Sequence, residues 1–317
     1  MVRRRLFSGI ESYRYRLHGI ERGGRAQSPR TNVKRIVTIQ DISCVGKCSL
    51  TVALPVISAC GVECAVVPTA VLSTHTAFSG YTFHDLTGEM APIAAHWRQE
   101  GFRFDAIYTG YLGSREQIDL VLGYFRDFGH RDNLIVVDPV MADNGRLYAG
   151  FTPDFPREMA RLVAEADVIV PNLTEASFLL GIPYRTDRGE EELHELLRDL
   201  SGLGAKNVVL TGVSLRPGEL GAMGYESGSG RFFYHASDYL PVSFHGTGDV
   251  FASTLVGALT RGPDLSAAVG VAVDYTVECL RATLRDPQHV TYGVNFETAI
   301  PYLLGRLGIA EPRPRQK

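Results

Sequence analysis

No stretch of this 317-residue sequence approaches the ~20 uninterrupted apolar residues that a membrane-spanning helix needs. The N-terminus also lacks the apolar core of a secretory signal, so the expectation is a cytoplasmic protein with no membrane partner. Neither charge sign dominates: 32 Lys and Arg face 35 Asp and Glu, a net charge of -3, and the global basic field that nucleic-acid binding draws on is missing. Cysteine is scarce. The five (Cys44, Cys48, Cys60, Cys64 and Cys279) are an odd number in a chain large enough not to need disulfide staples, so reduced thiols are expected. Four of them form two C-x3-C pairs at a spacing a helix could place on one face, but no His stands nearby at finger-like spacing, and buried thiols outweigh a zinc reading. Internal repeats, low-complexity blocks and Pro/Ser-rich linkers are absent too, which leads to one domain over 33–308. A content of 45% hydrophobic and 21% charged residues excludes collagen-like, coiled-coil and wholly disordered chains and suits an enzyme with a small-molecule substrate.

Residues 1–32 stand apart. Arg3, Arg4, Arg5, Arg14, Arg16, Arg22, Arg25 and Arg30 face only Glu11 and Glu21, with little apolar periodicity. A basic, disordered extension is expected there, with an organelle transit peptide or a mis-chosen start codon as alternatives. Residues 309–317, with two Pro among charges, are expected to form a flexible tail.

Between these ends, short runs continuous in Val, Ile and Leu predict buried strands at 33–40, 62–67, 106–109, 134–138, 168–171 and 208–211. Helical segments are predicted between them at 47–59, 85–99, 114–128, 156–164, 174–180 and 190–203. Strands alternating with helices specify an α/β fold, a mostly parallel central sheet with helices on both faces. The rhythm then breaks. Runs at 220–225 and 231–235 flank Ser227-Gly228-Ser229-Gly230 and predict an antiparallel edge hairpin, followed by helices at 249–260, 265–281 and 296–307.

The segment His245-Gly246-Thr247-Gly248-Asp249 precedes an apolar helix. Glycines there let backbone N–H groups converge on one point, and the helix adds its positive end, which together make an anion hole. Asp249 at that mouth makes chemical sense as a base that takes a proton from a hydroxyl attacking a γ-phosphoryl group. The alternative is a tight turn with Asp249 as a helix N-cap. Two acidic clusters stand upstream, LIVVDPVMAD (134–143) and DVIVPNLTE (167–175). Ligands of open parallel sheets bind beyond the strands' carboxyl ends, where Asp138, Asp143, Asn172 and Glu175 are expected. Magnesium accepts such a sparse oxygen set, completed by waters and nucleotide phosphates. The competing reading makes Asp138 and Asn172 caps of the following helices.

In these motifs and their order, the chain resembles the pyridoxal kinase branch of the ribokinase superfamily. The motifs are IVTIQD (36–41), STHT (73–76), GYLGS (110–114), VDPVMAD (137–143), PNLTE (171–175), VVLTG (208–212) and HGTGD (245–249). The stretch DISCVGKCSLTVALP (41–55) is similar to bacterial proteins usually called pyridoxamine kinases. The resemblance implies a ribokinase-like fold and transfer of the ATP γ-phosphate to the 5′-hydroxymethyl of a B6 vitamer. By the same resemblance Asp249 is the general base, and the Gly246, Thr247 and Gly248 backbone is the anion hole. Asn172 and Thr211 stand with Gly246 and Gly248 on the nucleotide side, and Asp138, Asp143 and Glu175 near Mg2+. Asp41, Leu72, Thr76 and Tyr111 stand on the substrate side. ATP is then the co-substrate and Mg2+ the cofactor, a monovalent cation such as K+ is left open, and a homodimer is expected.

Asp41 departs from the Ser that commonly follows the Ile-Gln pair in pyridoxal kinases. A carboxylate there can pair with the ring N–H+ or with the ammonium arm of pyridoxamine, so a shift toward pyridoxamine is expected; the alternative is a turn or helix cap. Lys47 does not belong to a P-loop, because no Gly lies five residues before Gly46. His75 and His245 flank the pocket motifs. The rivals are hydroxymethylpyrimidine kinase, which commonly carries Cys at the position of Asp249, a sugar kinase, whose β-lid the stretch between Val67 and Asp105 looks too compact to hold, and a catalytically silent B6-binding protein.

Overall fold

A computed structural model describes residues 33–309; the basic extension 1–32 and residues 310–317 lie outside the described residues. In chain order the elements are β1 (Arg35–Ser43), α1 (Leu50–Ala59), β2 (Glu63–Leu72), β3 (Phe83–Asp85), α2 (Thr87–Glu100), β4 (Ala106–Thr109) and α3 (Arg115–Phe128). There follow β5 (Leu134–Val137), β6 (Ala142–Asp143), β7 (Arg146–Leu147), α4 (Phe155–Val163), β8 (Val168–Ile169), α5 (Leu173–Leu180) and α6 (Glu190–Gly202). The last third holds β9 (Asn207–Val213), β10 (Glu219–Glu226), β11 (Arg231–Asp238), α7 (Thr247–Arg261), α8 (Leu265–Arg285) and α9 (Phe296–Arg306).

The main sheet runs β11-β10-β9-β8-β5-β4-β1-β2-β3. Its interior from β9 to β2 is parallel, and β3, β10 and β11 are antiparallel to their neighbours. Helices cover both faces, which is why β1 reads as an unbroken apolar run: Ile36, Val37 and Ile39 are fully buried, on alternating sides. One face packs Ile39, Ile107, Val137 and Ile169 under residues of α2 to α6. The other packs Ile36, Tyr108, Val136 and Val168 under α1, α7, α8 and α9. The expected α/β architecture with its edge hairpin is the observed one.

Several expectations need correction. Both sheet edges are antiparallel, since the stretch between Val67 and Asp105 supplies β3. The strand expected to stop at Val67 continues through Pro68 to Leu72; Pro68 is tolerated because the β1–β2 ladder slips one residue just beyond it, with Gln40 opposite Pro68 and Ile42 opposite Val71. The helix expected from Lys47 starts at Leu50, because residues 46–49 form a turn in which Ser49 takes φ 50°. Accordingly Cys44 and Cys48 precede α1 and do not share a helix face, and all five cysteines are free. The small β6–β7 ribbon was not expected at all.

Candidate active site

The chain leaves β1 toward β2 on one side, while β4 pairs on the other, so a crevice opens at the carboxyl end of β1. Asp41 sits there, at the bulge, and is 6% exposed. Burial raises its carboxyl above the ordinary range, against hydrogen bonds from the Ser49 and Ser43 hydroxyls. Beside it, the Gln40 amide donates to Thr38 Oγ1 (2.6 Å) and packs against Gly110, where any side chain would collide with it. A side chain after β4 would therefore force the Gln40 amide to move.

The His245–Asp249 segment arrives at the same crevice from the other direction. Gly246 precedes α7 with φ 79° and lies against the Lys47 carbonyl, so two independent constraints demand glycine. Asp249 falls in the first turn of α7, two residues past its start, and not at the N-cap. The Ser49 N–H faces its part-buried carboxylate and favours the charged form, yet burial first, and the Asp41 charge after it, push its pKa up to about 7. A carboxylate poised near neutrality beside helix N–H groups can accept a proton from a hydroxyl. The Cys48 thiol, buried nearby, is pushed up to about 12 by burial and by the charges of Asp249 and Asp41, which leaves it a thiol.

The remaining acids line the ends of β5 and β8. Asp138 is buried, and burial together with the Glu175 and Asp249 charges drives its carboxyl well above the usual range. Behind it lies the Tyr108 hydroxyl, fully buried and under the charges of Asp138 and Asp249. Glu175 accepts the N–H groups of Met141 (3.1 Å) and Asn172 (2.9 Å). Asn172 Oδ1 in turn accepts from the N–H groups of Thr174 (2.8 Å) and Glu175 (2.9 Å), closing a capping box on α5, and its Nδ2 donates to the Ala142 carbonyl (2.9 Å). Both side chains are thus committed to holding the β6 strand against α5. Asp143 is exposed and accepts from its neighbour Asn144 through both oxygens. Among the described residues, no three His, Cys, Asp or Glu are arranged to hold a metal ion. Thr211, half-buried on β9, points its hydroxyl at the Pro171 carbonyl (3.4 Å).

On the opposite side of the crevice, Leu72 is buried at the end of β2 and Thr76 is exposed on the loop that follows. Tyr111 lies half-buried on the ring of Phe151, its hydroxyl pushed up by burial and then by the Asp41 charge. The loop after β2 is tied to the segment before α7 by the rings of His75 and His245, 4.5 Å apart. Its Phe78 meets Tyr292 at 5.4 Å. His75 Nδ1 accepts the Ala77 N–H (3.0 Å), so a neutral ring carries its proton on Nε2. Asp41, Asp249, Asp138 and Tyr111 thus influence one another electrostatically, whereas Asp143 stands outside the buried group. Ser49, Tyr108 and the His75–His245 contact were not expected. The βα-loop position of Ser49, at the sheet's carboxyl edge, was the available signal.

A family model described as phosphomethylpyrimidine kinase matches residues 51–294. A Bacteroides thetaiotaomicron protein, provisionally named phosphomethylpyrimidine kinase and crystallised with pyridoxal, is 42% identical with a TM-score of 0.81, over 86% of this chain and 96% of its own. Pyridoxal kinase from Lactobacillus plantarum is 32% identical with a TM-score of 0.79, over 86% of this chain and 97% of its own. The thiamine biosynthetic bifunctional enzyme of Arabidopsis thaliana is 30% identical over 76% of this chain. This chain spans about half the length of two curated relatives it matches, 58% of one and 45% of the other.

Proposed function

The chain belongs to the phosphomethylpyrimidine kinase family, and from that premise we propose that it is a pyridoxal kinase, transferring the ATP γ-phosphate to the 5′-hydroxymethyl group of a B6 vitamer. The observation that carries the reading is Asp249: a carboxylate in the first turn of α7, raised to about 7 and held by the Ser49 N–H. In this role it removes the proton of the attacking hydroxyl, while the N–H groups at Gly246, Thr247 and Gly248 balance charge on the transferring group. The likeness to a protein crystallised with pyridoxal supports the acceptor class.

Magnesium fits the site in part. Asp138, a buried carboxylate that accepts no hydrogen bond among the described residues, has the chemistry of an oxygen ligand, directly or through water. Glu175, whose oxygens already accept backbone N–H groups and whose carboxyl burial pushes up to about 8, stands behind it as part of the frame. When bound, the ion would offset phosphate charge. Asn172 acts by shaping the β6–α5 junction beside the nucleotide, and Thr211 lies at the neighbouring strand end. Asp41, Tyr111, Leu72 and Thr76 form the acceptor side, with Asp41 favouring a cationic ring or amine. A single kinase domain over 33–308, homodimeric assembly and a cytoplasmic location belong to the same proposal.

The test is ATP consumption by purified protein with Mg2+ and K+, offering pyridoxal, pyridoxamine, pyridoxine and hydroxymethylpyrimidine in parallel. Turnover with B6 vitamers, highest for pyridoxamine, is expected. Turnover with the pyrimidine alone would move the chain to the neighbouring activity, for which the family model and the thiamine-pathway relative speak.

A further inference from the structure

The turn between β1 and α1 touches the catalytic segment at two points. The Lys47 carbonyl lies against Gly246, and the Ser49 N–H faces the Asp249 carboxylate. Ser49 adopts φ 50° and ψ -133°, a region non-glycine residues rarely enter, and its side chain does not cap α1; its hydroxyl faces Asp41. Something must hold this unfavourable turn in place. Thr51 Oγ1 meets the carbonyls of Gly46 and Cys48, both at 2.7 Å, which fixes the turn from the helix side. From the far side the anchor is Lys47 itself. Its stem packs on Gly293, where a side chain would collide with it, and its ammonium donates to Asn295 Oδ1 (3.0 Å) and Glu297 Oε2 (2.9 Å), over the Phe296 ring (5.8 Å). The Lys47 side chain is only 17% exposed and reaches the start of α9.

We propose that Lys47 is a positioning residue for phosphoryl transfer: anchored on Asn295 and Glu297, it holds the 46–49 turn whose backbone braces Gly246 and Asp249. It touches neither reacting group. Because small displacements of a base are costly to rate and not to binding, the signature is a loss in kcat with KM preserved. The inference rests on the kinase reading above.

Lys47→Met keeps the stem and removes the anchor. It is expected to lower kcat by about tenfold, with KM for ATP and for the vitamer within about twofold, and Lys47→Arg to restore kcat to within about threefold of wild type. Glu297→Gln, at a half-exposed position on α9, should lower kcat by about threefold, and the Lys47→Met/Glu297→Gln double variant should be no worse than Lys47→Met alone, since both cut one path. A Lys47→Met kcat within twofold of wild type, or a double variant whose losses multiply, would overturn the proposal. Should Lys47→Met fail to fold by circular dichroism, Glu297→Gln decides: a loss of kcat at constant KM supports the proposal, and an unchanged kcat overturns it. Wild-type protein inactive with every acceptor would instead defeat the kinase reading.

Discussion

Glu175 and Asp138 stand at the same sheet edge and are both buried, yet their surroundings are opposite. Glu175 closes a capping box and receives the N–H groups of Met141 and Asn172. Asp138 follows directly on β5, with the Glu175 and Asp249 charges as neighbours and no side-chain hydrogen bond among the described residues. A buried carboxylate supplied with backbone donors belongs to the fold, whereas one without them needs an outside cation or a proton. Asp249 falls between the two in its donors, with the Ser49 backbone N–H facing it, although burial pushes the Glu175 carboxyl up as well, to about 8. That gradation, from satisfied to unsatisfied, separates scaffold from chemistry better than residue type does.

Mutation should widen the contrast. Asp249→Asn is expected to lower kcat by about 10³-fold while KM changes by a few fold, measured by steady-state ATP consumption. Asp138→Asn should cost about 10²-fold in kcat and, by removing an unpaired buried charge, raise the melting temperature of the ligand-free protein at pH 8. Glu175→Ala should do the reverse in urea denaturation, losing about 2 kcal/mol as its backbone donors are orphaned. The pH dependence carries the same sign logic. Asp41, Asp138, Glu175 and Asp249 are all raised, so the folded state holds more protons than the unfolded one above their ordinary values near 4. Stability of the ligand-free protein should therefore fall as pH rises from about 5 to about 8, and calorimetry at the two pH values checks it. The smallest effect is expected for Ser49→Gly, which relieves the φ 50° backbone and keeps the N–H but gives up the hydroxyl beside Asp41: stability within about 1 kcal/mol of wild type by urea denaturation, with kcat within about threefold.

Much of the frame was legible because interior parallel strands are buried on both faces, so 106–109 and 134–137 appear as unbroken apolar runs. The edges were not. Phe83-His84-Asp85 is exposed and carries no strand pattern, and its pairing with Ala70–Leu72 is a tertiary event. Asp41, Asp138 and Asp249 were legible as strand-end or loop acids, since carboxylates in such places are rarely needed by a core. The sequence also left open whether Asn172 caps α5 or faces a ligand, and the hydrogen bonds commit it, together with Glu175, to the cap. Nothing in a serine announces a left-handed backbone, and nothing in Lys47 announces its reach to Asn295 and Glu297 near the end of the chain. Such contacts exist only once the sheet has assembled.

The central claim is that Asp249 is a base tuned to neutrality by burial. Its most direct test is the pH dependence of kcat for wild type beside the residual activity of Asp249→Asn, so that ionisation of the substrates cancels. An acid limb near 7 in the wild type, missing from the variant, is the predicted result; the same limb in both proteins, or a wild-type limb near 4, would contradict it.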